Sequence, residues 1–399
     1  MNHESICLSN MKRTFGNLNT HTPQPVYLDC NATTPIEPAV KEAVVHWLSE
    51  EIGNAGSRTH EYGVQAKRAV QTARDQVAAV VGASGDEVIF TSGATESNNL
   101  AILGLASHGE SAGKRHIIST AIEHKAVLEP LEALEARGFS ITLIEPDASG
   151  AVSEKLVQEA LRPDTLLISV MHVNNETGIR QPIDGIANLL ADHDAYLHVD
   201  AAQGFGKDLA DLRNPRIDLI SVSSHKVYGP VGVGALVARK RGFKRPPLTP
   251  LAFGGGQERG LRPGTLPVPL IVGLGLAAEI AGKETYKRAT RCTEIRADAL
   301  AALEPLGIHL HGDPERCLPH VLNFSVDGID SEALILAIKD IVAVSNGSAC
   351  TSQSYKPSHV LSAMGLPQNT IAGAVRLSWS HLTPDVDWRA VAARIKSLR

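Results

Sequence analysis

Short apolar runs alternate with longer amphipathic segments along most of the chain, from about residue 27 to about residue 240. Segments 64–81 and 123–137 carry apolar residues at the spacing of one helix face, which predicts amphipathic helices. This alternation predicts an α/β fold with a mostly parallel central sheet covered by helices. In such sheets, ligands bind beyond the carboxyl ends of the strands. The apolar runs short enough to be buried strands are 88–90, 116–118, 141–144, 165–170, 196–199 and 219–222.

A second, smaller domain is expected where this pattern changes. Residues 245–269 are rich in glycine and proline, and they lead into a long helical region at 270–303. From about residue 309 the chain shows short strands and two helical segments, as in a small α+β domain. The predicted domains are a large one at 37–285 and a small one formed by 1–36 and 286–399.

Composition restricts the class of protein. The 399 residues are 43% hydrophobic and 20% charged, as in ordinary globular enzymes, and a net charge of −5 gives no basic surface for nucleic acid. The five cysteines are scattered without a C-x-x-C pair, which indicates a reducing compartment. The most apolar stretch, 266–280, is too short to span a membrane and carries Glu279, and residues 1–25 contain no apolar signal segment. We expect a cytoplasmic protein without direct contacts to membranes or nucleic acid.

Lys226 closely follows an apolar run, and this position is the strongest chemical signal in the sequence. Lysine is rarely buried without a function, and a desolvated amine is the kind that forms Schiff bases. Asp200 ends the preceding apolar run, where a carboxylate can pair with a protonated pyridine nitrogen. Gln203 follows three residues later, so both strand ends are expected to face one crevice. Together these residues predict a site for pyridoxal 5′-phosphate.

Small residues after the first of the listed apolar runs offer a place for the phosphate of such a cofactor. Residues 91–96 (Thr-Ser-Gly-Ala-Thr-Glu) precede a helical stretch predicted at 97–105, so their N–H groups could hold a phosphate on the helix dipole. A plain N-cap turn is the alternative, and no Gly-Lys-Ser/Thr follows, which excludes a P-loop. Ser223 and His225, beside the lysine, could donate further hydrogen bonds to the phosphate.

Two other polar motifs follow strand-like runs. His124 begins a helix, where it either caps the helix or stacks on a planar cofactor and moves protons. Asn175 lies in the motif Asn-Asn-Glu-Thr-Gly at 174–178, which forms either a simple turn or a source of an amide contact to the cofactor.

Cys350 and Arg376 are the candidates in the predicted small domain. Cys350 lies in a loop of small residues at about 345–356, where it is either reactive or buried and inert. Arg376 lies in an alternating strand, where it either holds a substrate carboxylate or forms a structural ion pair. Residues 254–265 are too rich in glycine for regular structure, and their backbone could approach a ligand or a second subunit.

From about Val26 to its end, the chain resembles the cysteine desulfurases of the class V aminotransferase superfamily. The resemblance implies the fold type I architecture of pyridoxal-phosphate enzymes, with a large cofactor-binding domain, in a homodimer. It also implies conversion of L-cysteine to L-alanine, with the sulfur passed to a protein acceptor. The motifs that carry it, in order, lie at 27–35, 92–96, 123–125, 174–176, 200–203, 223–226, 254–265 and 347–350.

The same resemblance implies a role for each candidate residue. Lys226 would carry the cofactor and, once released, move protons, while Asp200 would pair with the pyridine nitrogen. Cys350 would be the nucleophile that receives the sulfur as a persulfide. The remaining implied contacts are Gln203 to the phenolic oxygen, His124 on the ring, Thr95, Ser223 and His225 at the phosphate, Thr265 from the other subunit, Asn175 at the cofactor, and Asn175 with Arg376 at the substrate carboxylate.

Within this family, the segment around Cys350 resembles the long-loop group. Residues 29–35 and 53–61 resemble the desulfurases that supply sulfur for DNA phosphorothioate modification. Only 23 residues follow Arg376, whereas the housekeeping iron–sulfur desulfurases carry a longer tail that docks their scaffold partner. We therefore expect a phosphorothioation role, with iron–sulfur cluster assembly or tRNA thiolation as alternatives.

Other functions remain as hypotheses. A selenocysteine lyase or an aminotransferase would share the cofactor site, but an aminotransferase needs no nucleophile, so Cys350 argues against it. A catalytically inactive scaffold that binds the cofactor is the hypothesis from a different class. Intact Lys226, Asp200 and His124 argue against that scaffold.

Overall fold

The computed structural model describes residues 24–347 and 357–399, and Cys350 lies outside these described residues. The strands of this part are β1 (Val26–Tyr27), β2 (Val88–Thr91), β3 (His116–Thr120), β4 (Ser140–Ile144), β5 (Thr165–Met171), β6 (Tyr196–Asp200), β7 (Leu219–Ser223), β8 (Gly234–Ala238), β9 (Ile308–Leu310), β10 (Val321–Val326), β11 (Val342–Ala343) and β12 (Val375–Ser378). Its α-helices are α1 (Pro38–Ser49), α2 (Glu61–Val81), α3 (Ala94–Leu103), α4 (Ala106–Ala112), α5 (Lys125–Glu135), α6 (Glu154–Ala160), α7 (Ile183–Leu189), α8 (Val268–Leu303), α9 (Ser331–Ile338), α10 (His359–Ala363), α11 (Gln368–Ala372) and α12 (Trp388–Lys396).

The large sheet has the strand order β2-β8-β7-β6-β5-β3-β4 in the described part of the chain. Strands β4, β3, β5, β6 and β7 pair in parallel, whereas β8 is antiparallel to both of its neighbours. This confirms the predicted α/β fold with a mostly parallel sheet. Each apolar run that was interpreted as a strand forms one. Strand β8 was not predicted, because its sequence Gly-Ala-Leu-Val-Ala has little β-branched character.

A smaller antiparallel sheet, β12-β10-β9, lies toward the C-terminal end of the chain. It shares a hydrophobic core with the second half of α8 and with α9 and α12, where Phe324, Trp379 and Trp388 are buried. The sequence predicted two helical segments after residue 309, and this was wrong because the described residues of that part, 309–347 and 357–399, already form four short helices, α9 to α12. Helices α10 and α11 have five residues each, too short to show a helical period in the sequence.

Helix α3 begins at Ala94, three residues before the start predicted from the sequence. The prediction treated the small residues before Ser97 as a turn, since serine and glycine favour caps and turns. Thr95 therefore lies in the first helical turn, directly after the buried strand β2. The earlier start places the N-terminus of α3 close to the carboxyl end of β2.

Within residues 24–347 and 357–399, no helix has both the length and the apolar character that a membrane span requires.

An ion pair holds the glycine-rich residues 254–265 against the large domain. Arg74 of α2 donates two hydrogen bonds to the carboxylate of Glu258, at 2.6 and 2.8 Å, and both side chains are buried. The backbone N–H of Phe90 in β2 donates to the same carboxylate at 2.7 Å. Glu258 and Arg259 adopt positive φ angles of 47° and 60°, which are costly for residues other than glycine. The carboxylate contacts therefore stabilise a strained turn.

Replacing Glu258 with alanine is expected to destabilise the protein strongly. The variant leaves the Arg74 guanidinium buried without its partner, and breaking such a pair from one side costs about 3–5 kcal/mol. Thermal unfolding of the purified variant measures this loss. The matched control is Glu61→Ala, since Glu61 is exposed and 3.9 Å from Arg68, so its midpoint should stay close to that of the unmodified protein. Equal midpoints for the two variants would contradict the structural role of Glu258.

Candidate active site at the carboxyl edge of the sheet

A cavity of about 460 Å³ opens at the carboxyl ends of β5, β6 and β7. It lies where open α/β sheets bind ligands. Among the described residues, it brings together most of the side chains that the sequence singled out. Thr265 is exposed and does not line the cavity in this chain. The predicted residues that do line it are Thr95, His124, Asn175, Asp200, Gln203, Ser223, His225, Lys226 and Arg376.

Lys226 follows β7 at the end of a short 3₁₀ turn, Ser224–Lys226. Its Nζ donates to the backbone carbonyls of Asn31 and Ala32, the second at 2.7 Å. Asn31 is buried, and its Oδ1 has no hydrogen-bond partner within the described residues. The amine is thus held in the cavity by the loop that follows β1. The sequence placed this loop in a matching motif but did not identify Asn31 as a residue of the site.

Asp200 ends β6 and is buried in the cavity wall. Its Oδ2 accepts a hydrogen bond of 2.7 Å from Nδ2 of Asn98, and its Oδ1 accepts one of 3.0 Å from the N–H of Ala202. Asn98 was not singled out from the sequence. Its spacing of three residues from Thr95 on one helix was the available signal, because residues i and i+3 share a face. The Asn98 amide orients the carboxylate.

Replacing Asn98 with alanine is expected to weaken cofactor binding about 10- to 150-fold, because hydrogen bonds to charged groups contribute about 1.5–3 kcal/mol. The loss comes from the Asp200 carboxylate, which keeps its charge but loses its orienting donor. Absorbance titration of the stripped variant with cofactor measures the dissociation constant. The control is Asn99→Ala, because Nδ2 of Asn99 donates to the Thr95 carbonyl of its own helix and not to Asp200. Equal affinities for the two variants would contradict this role.

His124 caps helix α5, as one of the two hypotheses proposed. Its Nδ1 accepts a hydrogen bond of 3.1 Å from the N–H of Ala126, so the neutral ring carries its proton on Nε2. Burial lowers the pKa of His124, while Asp200 acts in the opposite direction. The side chain also lines the cavity. Capping and a role at the cofactor are therefore compatible, because the cap uses one ring nitrogen and leaves the other.

Glu123, beside His124, is a buried carboxyl that the sequence analysis did not single out. Its Oε1 accepts from Thr120 Oγ1 at 2.7 Å and from the Met171 N–H at 2.8 Å, joining the ends of β3 and β5. Its Oε2 has no partner among the described residues. Burial raises the pKa of Glu123 to about 8, and the charge of Asp200 acts in the same direction. The carboxyl is therefore protonated at neutral pH and acts as a neutral brace between two strands.

The Glu123 brace predicts a pH-dependent stability. The pKa is near 4.5 when unfolded and about 8 when folded, so the stabilisation is complete below the lower value and is lost as pH rises through the higher one. Glu123→Gln keeps a neutral side chain at every pH. Thermal midpoints are measured at about pH 5 and about pH 8.5. The midpoint of the variant, relative to that of the unmodified protein, should be several degrees higher at about pH 8.5 than at about pH 5. A pH-independent difference would contradict the raised pKa. The control is Glu135→Gln, which replaces an exposed glutamate at the end of α5.

The turn before α3 forms one end of the cavity, with Ser92, Gly93 and Thr95 in its lining beside Ser223 and His225. His225 Nδ1 lies 3.2 Å from Thr33 Oγ1, and burial, with Lys226 nearby, lowers the pKa of His225 to about 4. The first turn of a ten-residue helix leaves backbone N–H groups without partners along the helix. Hydroxyls, a neutral imidazole and helix N–H groups together suit a phosphate.

Arg376, at the opposite end of the cavity, forms the structural ion pair that was one of the two hypotheses for it. Its Nη2 donates to Asp29 Oδ1 at 2.6 Å, and its Nη1 donates to the carbonyl of Asn175 at 2.9 Å. Its Nε is buried without a partner among the described residues, although the side chain lines the cavity. The ion pair fixes the guanidinium, and the remaining N–H is available to an anionic group. Strand β12 is buried at every position and does not alternate, because a helix or sheet covers each side.

The residues of the cavity fit pyridoxal 5′-phosphate. The Nζ of Lys226 can form the covalent link, and the Asp200 carboxylate, held by Asn98, can face a protonated ring nitrogen. Gln203 donates one N–H of Nε2 to the Asn31 carbonyl at 2.9 Å, and its Oε1 is buried without a partner among the described residues. The cavity thus has one end suited to a phosphate, a carboxylate in its wall, and buried polar atoms without partners among the described residues. These features suit a polar aromatic ligand with a phosphate group.

Comparison with known proteins supports the same cofactor class. A family model for class V aminotransferases matches residues 26–387. The chain is 44% identical over 381 residues to the cysteine desulfurase IscS of Anaeromyxobacter dehalogenans, covering 94% of this chain and 93% of that protein. A crystal structure of DndA from Streptomyces lividans is 52% identical with a TM-score of 0.79, covering 89% of this chain and 99% of that one. A structure of SspA in complex with cysteine is 38% identical with a TM-score of 0.79, and the match covers 90% of this chain and 100% of that one.

Proposed function

The chain belongs to the class V aminotransferase family and is a pyridoxal-phosphate-dependent cysteine desulfurase, and from this premise we propose that it forms a persulfide on Cys350 and donates it for DNA phosphorothioate modification. The observation that carries the finer proposal is the 52% identity to DndA, against 44% to the IscS relative. The motifs at 29–35 and 53–61 support the same assignment.

The described residues divide the work of the site as follows. Lys226 binds the cofactor covalently and later carries protons, and Asp200 stabilises the charge of the ring nitrogen. Arg376 and Asn175 bind the carboxylate of L-cysteine, and His124 provides a flat wall and a proton on Nε2. When bound, the cofactor withdraws electrons from the substrate carbon that the site holds. The N–H groups before α3, with Thr95, Ser223 and His225, bind the phosphate.

The sulfur transfer itself is assigned to Cys350 from the sequence. Its thiolate attacks the sulfur of bound L-cysteine, the carbon–sulfur bond breaks, and the carbon fragment takes up a proton to give L-alanine. Atoms balance, because L-cysteine and the Cys350 thiol give L-alanine and the Cys350 persulfide. The buried thiols are poor alternatives, since burial raises the pKa of Cys30 to about 11 and of Cys292 to about 12.

Assembly and location complete the proposal. The enzyme acts in the cytoplasm as a homodimer and passes sulfur to an acceptor protein, with no direct contact to nucleic acid. Thr265 reaches the phosphate of the other subunit's cofactor. The 90% exposed Phe253, beside the glycine-rich stretch, supports a subunit contact there. The division into a large domain at 37–285 and a small domain is supported by the two largest core clusters, one spanning Val40 to Ala281 and one containing Leu28 and residues from Cys292 onward. A small cluster that packs Ile122 and Met171 against Val360 and Leu361 joins the two domains.

The acceptor is tested in cells that produce the protein. Replacing its gene with the Cys350→Ser form should abolish phosphorothioate linkages in genomic DNA, measured by mass spectrometry of nuclease digests. The activity of an iron–sulfur enzyme in the same cells should stay unchanged. The opposite pattern, with intact linkages and a failing iron–sulfur enzyme, would replace the proposal with iron–sulfur cluster assembly, which the IscS relative favours as second candidate.

A further inference from the structure

A second, much smaller cavity lies between α8 and the segments that follow β6 and precede β10. Its volume is about 20 Å³, enough for one water-sized or ion-sized group. Lys207 lies in the segment that follows β6, Arg288 lies on α8, and His320 directly precedes β10. Three distant parts of the chain therefore meet at this cavity. Tyr228, two residues after Lys226, also lines it.

Three nitrogens at this cavity are buried without a hydrogen-bond partner within residues 24–347 and 357–399. They are Nζ of Lys207, Nη1 of Arg288 and Nε2 of His320. The rest of the Arg288 guanidinium is satisfied, because Nη2 donates to Glu37 at 2.8 Å and Nε to Glu284 at 3.3 Å. Buried polar atoms in native proteins almost always have a partner, so three orphans around one cavity indicate a missing one.

No side chain in the described part of the chain gives Lys207 an ion pair. The cysteines near it, Cys30 and Cys292, do not supply a negative charge, because burial raises the pKa of both thiols. Burial lowers the pKa of Lys207 to about 8, which leaves the amine mainly charged at neutral pH. A buried ammonium without a counter-charge is costly.

We propose that this cavity binds one small monovalent anion, of the size class of chloride, held by Lys207 Nζ, Arg288 Nη1 and His320 Nε2. The nitrogens of the lysine and the arginine can only donate, so a ligand that accepts every hydrogen bond suits them better than water, which must also donate. The volume excludes polyatomic anions such as sulfate. The anion neutralises the Lys207 ammonium and joins segments of both cores, so it stabilises the folded chain.

Two measurements on the purified holoenzyme test this site. Crystals grown in bromide should show an anomalous difference peak between the three nitrogens. Raising the chloride concentration at constant ionic strength, with sulfate as the replaced anion, should raise the thermal midpoint by at least about 2 °C, since a ligand that binds only the folded state stabilises it. In Lys207→Met the chloride effect should disappear, whereas it should persist in Lys155→Met, which removes an exposed lysine.

Two results would overturn the proposal. A cavity that holds an ordered water without an anomalous peak would show that water satisfies the three nitrogens. A chloride effect of equal size in Lys207→Met would show that the anion acts elsewhere on the surface. The bromide crystals need only the unmodified protein, so the test stands even if the Lys207→Met chain fails to fold.

Discussion

Replacing Lys226 with alanine should abolish both the absorbance of the bound cofactor and the release of alanine from L-cysteine. No other amine lies in the cavity lining formed by residues 24–347 and 357–399, so neither the covalent link nor the proton transfers assigned to Nζ can be replaced by another described residue. Loss of a group that both binds covalently and moves protons is expected to lower kcat by at least about 10³-fold. The visible spectrum of the purified variant and a timed alanine assay measure the two effects.

The control for Lys226 is Lys283→Ala, which removes a lysine on the exposed surface of α8. It should keep the spectrum and the rate of the unmodified protein. Circular dichroism of Lys226→Ala should match the unmodified protein, because Lys226 lies in a short turn at the edge of the sheet and donates to backbone carbonyls of the loop that follows β1. A folded Lys226→Ala protein that still releases alanine at a substantial rate would rule out this lysine as the site of attachment.

The second large effect is expected at Cys350. Cys350→Ser should keep the cofactor absorbance of the unmodified protein, since the residues proposed to hold the cofactor line the described cavity and do not include Cys350. Release of sulfide from L-cysteine in the presence of a reductant should fall by at least about 10³-fold, because a serine hydroxyl is a far weaker nucleophile toward sulfur. Alanine and sulfide should be lost together, because both products arise from the same bond cleavage.

The matched control is Cys317→Ser. Cys317 lies shortly before β10, its Sγ donates to the carbonyl of Thr177 at 3.3 Å, and burial raises its pKa. A neutral, hydrogen-bonded thiol is a poor nucleophile, so serine should replace it with full sulfide release. Full sulfide release by Cys350→Ser would show that Cys350 is not the nucleophile. Loss of release only in Cys317→Ser would transfer the role to that residue.

The sequence predicted the large sheet because buried parallel strands need continuous apolar runs, which are visible without any long-range information. It missed β8, whose small residues fit a strand only because β2 and β7 pair with it on both sides. The five-residue helices α10 and α11 were missed because their stability comes from packing against Ile122 and Met171 and not from a periodic pattern.

The candidate site divides in the same way. Lys226, Asp200 and His124 were found because chemistry demands particular residue types at strand ends, and strand ends are visible in a sequence. Asn98 and Glu123 were missed because their roles depend on partners far away in the chain.

For this protein, the sequence alone determined the fold class, the family resemblance and the candidates for reactive side chains, since these follow from periodicity and residue type. Only the tertiary structure decided which amide orients Asp200, which carboxyl braces β3 against β5, and that Lys207, Arg288 and His320 face one small cavity. The physical reason is that hydrogen bonding and burial depend on three-dimensional neighbours, and a linear pattern does not specify these for single polar residues.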